Sequence, residues 1–281
     1  MKYYTWGRMD STTPIWMKSF YGSHKGGTMS TLLEQFDPSP KAIFEPSMVA
    51  PHLDHFPEKV LTCYSKKLLE KALEGRVVET ICRLDTEDGG LPVYVFEDEG
   101  VRYGAYMSRV GAPACVINLE EVISRGAKTV MMFGSCGVLA EDIPKWGIIV
   151  PTAALRDEGV SYHYLPASDE VSFGEVTDLV KDTLELAGEA VRVGKVWTTD
   201  AIYRETAVKM AKRKEQGCIA VDMESASALA VCKFRGVNFG QFFYTEDVLT
   251  EDNWDGRGLS GGVKDQADRL FRLALECLKK L

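Results

Sequence analysis

The feature that most constrains this chain is an alternation. Short runs that are apolar without interruption take turns with longer segments of helical periodicity. Thr129-Val130-Met131-Met132-Phe133, Gly147-Ile148-Ile149-Val150, and the stretches 191–197 and 239–244 are of the first kind. A strand that is apolar on both faces needs cover on both sides. The pattern therefore predicts an α/β fold: a single domain whose mixed, mostly parallel central sheet is covered by helices on both faces. Helices are expected over 58–75, 113–125, 175–188, 203–216, 222–235 and 261–280, and a β-hairpin over 92–97 and 101–108. The 129–133 strand is read as breaking at Gly134, and the 147–150 strand as stopping at Pro151. Residues 1–40, rich in Gly, Ser, Thr and Pro, read as an N-terminal extension, and 41–281 as one folded domain.

Charge and composition narrow the function. A net charge of −8 over 281 residues argues against a nucleic-acid footprint and against an anionic membrane as partner, while leaving room for a small anionic ligand in a locally positive pocket. No apolar run reaches the length of a membrane span, and MKYYTWGRMD at the start lacks the apolar region of a secretory signal. Seven scattered cysteines without a Cys-x-x-Cys pair fit free thiols in a reducing, cytoplasmic setting. The four histidines form no ligand cluster, so no metal is expected.

In sheets of this kind ligands sit at the carboxyl ends of strands, and three such ends carry polar chemistry. Gly134-Ser135-Cys136-Gly137 can present backbone N–H groups and a hydroxyl to an anion, or be no more than a tight turn. Asp222 and Glu224 precede a run of small residues, where a carboxylate can cap a helix or accept hydrogen bonds from vicinal hydroxyls. A thioether at Met223 suits the apolar face of a sugar. Asp247, in Thr245-Glu246-Asp247, can act as a general acid or belong to an exposed acidic loop.

Taken together, in order and spacing, these motifs resemble the nucleoside phosphorylase family, which includes purine nucleoside phosphorylases, uridine phosphorylases and related nucleosidases. The likeness runs over about residues 40–280. It is carried by Arg109-Val110-Gly111-Ala112-Pro113-Ala114, by Gly126 through Leu139, by Arg156 through Tyr164, by Thr198 through Glu205, and by Val221-Asp222-Met223-Glu224-Ser225-Ala226. The resemblance implies a catalytic domain over 41–281. It implies that Glu224 binds the ribose hydroxyls and Met223 packs on the sugar. Gly134 and Ser135 would hold phosphate, and Cys136, Gly137, Ile202 and Val221 would line the base. Asp247 would be the general acid that protonates or hydrogen-bonds N7 of a purine, with Arg257 keeping it poised. No cofactor is implied. The partners are a nucleoside and inorganic phosphate as co-substrate, in a homo-oligomer of two to six subunits.

Departures from the family pattern concern the anion. The Gly-Asp-Pro-x-Arg loop of phosphorolytic members is matched by Phe44-Glu45-Pro46-Ser47-Met48, and the arginine that normally precedes the Gly-Ser loop is Met132. Losing two arginines removes much charge-assisted bonding. Arg109 is the first candidate to restore a cation, ahead of Arg83 and Arg102. The expected activity is phosphorolysis of a purine nucleoside or uridine to free base and pentose 1-phosphate. The alternatives are hydrolysis, with Glu45 as the carboxylate that activates water, and a non-catalytic nucleoside-binding protein.

Overall fold

The computed structural model describes residues 31–281 apart from 88, 251, 252 and 260. The extension expected over 1–40 therefore lies mostly outside the described residues. Helices are α1 (Lys66–Leu73), α2 (Ala112–Arg125), α3 (Val176–Leu186), α4 (Ala207–Glu215), α5 (Ser225–Arg235) and α6 (Val263–Lys280). Strands are β1 (Lys59–Cys63), β2 (Val78–Leu84), β3 (Leu91–Asp98), β4 (Val101–Met107), β5 (Thr129–Val138), β6 (Ile148–Asp157), β7 (Glu170–Ser172), β8 (Val191–Thr199), β9 (Cys218–Asp222), β10 (Asn238–Leu249) and β11 (Trp254–Asp255).

All strands join one mixed sheet. Parallel pairings gather at its centre, where β1 lies between β4 and β5 and β10 runs beside β5. The hairpin of β3 and β4 and the added β2 extend one side in antiparallel fashion. On the other side the sheet curls until it meets itself. β10 pairs β6, β6 pairs β8, β8 pairs β9, and β9 returns to β5. That last pairing is antiparallel and joins Gly137 to Val221 and Val138 to Ala220. Two strands that arrive from opposite directions thus meet at their carboxyl ends, which puts the loops of both in one place.

Apolar burial explains the layers. Val116, Leu119 and Val122 of α2 and Ala228, Leu229 and Val231 of α5 pack with Val130 and Met132 on one face. Leu68 and Leu69 of α1, Val180 and Leu184 of α3, and Leu270, Phe271 and Leu278 of α6 pack with Met131 and Phe133 on the other. Successive residues of β5 serve opposite faces, as strand geometry requires. Val60, Leu61, Met131, Met132 and Phe133 are almost fully enclosed.

Four expected boundaries are corrected. The helix expected over 58–75 divides into β1 and α1, with the Ser65 hydroxyl capping α1 by accepting from Leu68 N–H at 3.2 Å. β5 does not break at Gly134 but continues to Val138, because its backbone keeps pairing with β10. β6 passes through Pro151, where the register with β8 shifts; a bulge accommodates a residue that has no N–H to donate. The helix expected over 222–235 starts only at Ser225, since Cys218–Asp222 is claimed by β8 and β5 as a strand.

Candidate active site

The floor of the site is built where β5, β9 and β10 converge. A methyl group on Gly137 would stand 2.9 Å from Val221 Cγ1, 2.9 Å from Leu249 Cδ1 and 3.5 Å from Asp247 Oδ2. Glycine at this position is what lets a strand carbon, two apolar side chains and a carboxylate share one corner. Cys136 is buried beside it, and burial, followed by Asp222, Asp247 and Glu246, pushes its thiol well above the usual range. It is an inert wall rather than a nucleophile. Cys136, Gly137 and Val221, all expected at the base pocket, thus come together with Asp247. Ile202, expected with them, is half exposed in a 3-10 turn over Ile202–Arg204.

Glu224 is the N-cap of α5 and only 5% exposed. Its Oε1 accepts from the N–H of Gly111 at 2.5 Å, across 113 positions of chain. Gly111 reaches this orientation with φ +93°, a left-handed value suited to glycine. Asp222 sits beneath. It accepts from Thr198 Oγ1 at 2.7 Å, Ser225 Oγ at 2.6 Å, and the backbone N–H groups of Ser225 and Glu224 at 2.7 and 3.0 Å. Thr198 Oγ1 in turn accepts from Ala226 N–H at 3.1 Å, so β8, β9 and α5 are tied by one carboxylate. Burial, and then the neighbouring Asp222, push the Glu224 carboxyl up to about 8. Burial also raises Asp222, against the pull of its hydrogen bonds. Met223 lies between them, half-buried.

Asp247 accepts from the indole Nε1 of Trp254 at 2.7 Å. This corrects the role expected for Arg257. Its guanidinium donates to the carbonyl of Ile143 at 2.9 Å, and Trp254 takes its place on the aspartate. Beside Asp247 lies Glu205, whose carboxyl is pushed up to about 7 by burial and then by Asp247. Asp200 accepts from Gly159 N–H at 2.9 Å and adds to the negative field on Glu224.

Sequence reasoning placed the anion end less well. Ser135 is exposed on β5, opposite Tyr244 in register, and Gly134 is buried. The guanidinium of Arg109, the expected cation, turns to the carbonyl of Gly89 in the β2–β3 connection. Phe44–Met48 is not beside Ser135. It packs on α2, and Glu45 lies 3.8 Å from Arg235 at the far end of α5, one 11-residue helix away from Glu224. At about 1.5 Å per residue that is roughly 15 Å, so Glu45 cannot activate water at the sugar. The segment that adjoins Gly134 is the turn after β1, Tyr64-Ser65.

Tyr64, Gly111, Thr198, Asp200, Glu205 and Trp254 complete the site. Thr198 and Asp200 carried a sequence signal, a polar pair at a strand end. The others are brought in by long-range pairing.

Such an arrangement is an α/β scaffold that gathers carboxylates at the meeting point of a curled mixed sheet. The Phosphorylase superfamily profile matches residues 60–279, and the chain belongs to that superfamily. It is 28% identical over 182 residues to a guanosine phosphorylase of Halorubrum lacusprofundi, covering 61% of this chain and 73% of that protein. It is 28% identical over 144 residues to a DeoD-type purine nucleoside phosphorylase of Bacillus cytotoxicus, covering 50% of this chain and 61% of that enzyme's length. Among solved structures, the purine nucleoside phosphorylase of Toxoplasma gondii in complex with immucillin-H superposes with a TM-score of 0.67 at 19% identity, over 82% of this chain and 95% of that one. The uridine phosphorylase of Vibrio fischeri superposes at 0.68, also at 19% identity, over 86% and 98%. These structures bear out the α/β single-domain fold. Among the described residues, no helix is long and apolar enough to cross a membrane.

Proposed function

We propose that this chain releases a purine base by breaking the N-glycosidic bond of its nucleoside. The observation that carries the reading is the gathering of carboxylates where β5, β9 and β10 converge, with Glu224 on the α5 N-cap next to Asp222, and Asp247 beside Gly137. Glu224 accepts the hydrogen bonds of the sugar's vicinal hydroxyls, with Met223 against the sugar. Asp247, oriented by Trp254, donates to N7 of the leaving purine, where negative charge collects as the bond breaks. The departing sugar becomes cationic, and Glu224, Asp222 and Asp200 surround it with negative field. A pyrimidine has no N7, so Asp247 supports a purine over uridine.

The names of the curated relatives support phosphate as acceptor of the pentose, which would make the enzyme a pentosyltransferase with Gly134 and Ser135 at the anion. We further propose a cytoplasmic homo-oligomer of two to six subunits, for which the exposed Ile43, Phe44, Met48 and Val49 offer an apolar surface. The test is turnover of inosine, adenosine, guanosine and uridine, read as free base, alongside molar mass by light scattering. Base release from uridine alone, or from none, would overturn the reading.

A further inference from the structure

Resting on the role given to Asp247, we infer that Lys145 is a positioning residue for the reaction: it clasps the turn after β11 and so keeps Trp254 on the carboxylate of Asp247. Trp254 needs such help. β11 is two residues long, with Asp255 paired to Val248 and Trp254 to Leu249, and the Trp254 side chain is 57% exposed. A pairing this short, with little apolar surface buried, opens readily. Yet the indole Nε1–H meets Asp247 Oδ2 at 2.7 Å.

The clasp lies just beyond β11. The Lys145 ammonium has three protons to donate, and three carbonyls receive them: that of Arg257, that of Gly258 at 3.2 Å and that of Gly261 at 3.5 Å. Arg257 and Gly258 take left-handed backbone conformations in succession, φ +43° and +68°, which a side chain like that of Arg257 disfavours. Bonds on each side hold Arg257 there. Its N–H donates to Asp255 Oδ1 at 2.9 Å, its carbonyl accepts from Lys145, and its guanidinium donates to the Ile143 carbonyl at 2.9 Å. The first of these bonds ties the clasped turn directly to β11.

Lys145 can serve as a fixed point because its own segment is bonded to β10 two residues before Asp247. Trp146 N–H donates to the Thr245 carbonyl at 2.9 Å, Gly147 N–H donates to Thr245 Oγ1 at 3.1 Å, and that hydroxyl donates to the Pro144 carbonyl. Thr245 is buried, and the Trp146 ring stacks on Tyr244 with centroids 5.7 Å apart. The Lys145 ammonium stands 5.0 Å from the centre of the Trp146 ring, an attraction that steadies its side chain. Segment 143–147 is thus a bracket. One arm is on the strand that carries Asp247 and the other on the turn that follows Trp254, so it sets how the two meet. Because Lys145 acts through Trp254, its removal costs at most what loss of the indole's bond costs.

The experiment compares Lys145→Met, Trp254→Phe and the double variant with the native full chain. In purine nucleoside turnover, kcat should fall by about tenfold in Lys145→Met with KM nearly unchanged, equivalent to one hydrogen bond to a charged group. The double variant should be no slower than Trp254→Phe alone, since two residues acting through one bond do not add. A purely structural lysine gives the product of the two losses, about a hundredfold, and that result overturns the inference. So does a native kcat in Lys145→Met. Lys145→Gln, a milder change, goes through the same cycle, so that the inference is decided even where Lys145→Met does not fold. A second readout does not depend on turnover. The indole Nε1–H signal of Trp254 in the heavy-nitrogen-labelled chain, identified by its loss in Trp254→Phe, should move in the Lys145 variants. That of Trp197, bonded to Asp157 at 2.9 Å, should stay in place. An unmoved Trp254 signal overturns the inference whatever the activity. Absence of base release from every purine nucleoside by the native chain overturns the cleavage reading and Lys145's part in the reaction, and the indole signal then decides the clasp alone.

Discussion

Replacing Glu224 by Gln should make the protein more stable and less active, and the stability gain should depend on pH in one direction only. Glu224 is 5% exposed and its carboxyl is pushed from 4.5 to about 8 by burial and by Asp222. Below the unfolded value of 4.5 the carboxyl is neutral in both states, so Glu and Gln differ little. As pH rises from there toward 8, the unfolded chain ionises and the folded chain resists, so the wild type loses stability progressively. Each unit is worth about 1.4 kcal/mol, and a shift of this size shared with Asp222 amounts to roughly 3–5 kcal/mol above pH 8. Gln keeps an acceptor for the Gly111 N–H and has no charge to bury. The variant should therefore melt roughly 6–20 °C higher than wild type above pH 8 and nearly level with it at pH 4, taking about 2–4 °C per kcal/mol for a domain of this size. Thermal unfolding by circular dichroism at pH 4, 7 and 9 reads this directly. On the activity side, two sugar hydroxyls lose a charged acceptor, and kcat/KM should fall about 10–100-fold. A melting difference that is the same at pH 4 and pH 9 would refute the electrostatic account of Glu224.

The wild-type KM for nucleoside should fall as pH rises toward 8 and level off above it, because sugar binding draws on the ionised carboxylate; a flat KM profile from pH 6 to 9 would contradict this. Asp222→Ala strips acceptors from Thr198, Ser225 and two backbone N–H groups, and urea unfolding should show a loss of about 3–5 kcal/mol. Asp247→Asn should lower purine turnover by about 100-fold with little change in KM, as expected for a lost general acid. Trp254→Phe removes the donor on Asp247, and kcat should fall by about tenfold, equivalent to one hydrogen bond to a charged group; an unchanged kcat would contradict the orienting role.

Local pattern made much of this fold legible. The helices at 113–125 and 175–188 and the hairpin around Glu99-Gly100 were readable to within a residue or two, because each has its own periodicity and its own stop. β1 was not. Val60, Leu61, Cys63 and Tyr64 fall at spacings that join smoothly to Leu68 and Leu69 of α1, so five residues of strand pass for the first turn of a helix. β9 hid for a related reason: Cys218–Asp222 leads into α5 with only Met223 and Glu224 between them, and its strand character comes from β8 and β5 rather than from itself. β5 and β6 were cut short because Gly134 and Pro151 are breakers in isolation and are tolerated where a paired neighbour holds the backbone.

The same division runs through the site. Glu224, Met223, Cys136, Gly137 and Val221 lie on or beside strand ends, and the resemblance to the family was enough to bring them together. Tyr64 could not be found that way, since its place against Gly134 exists only once β1 and β5 are in register across some seventy positions. Trp254 needed the return of β11 onto β10. Arg257 was placed on Asp247 by spacing alone, and its long, flexible side chain goes instead to the carbonyl of Ile143. What the strand ends hold together is a group of carboxylates. Keeping Glu224, Asp222 and Asp200 together is costly to the folded state, and such a cost persists where the reaction creates positive charge among them. A sugar losing its base does so.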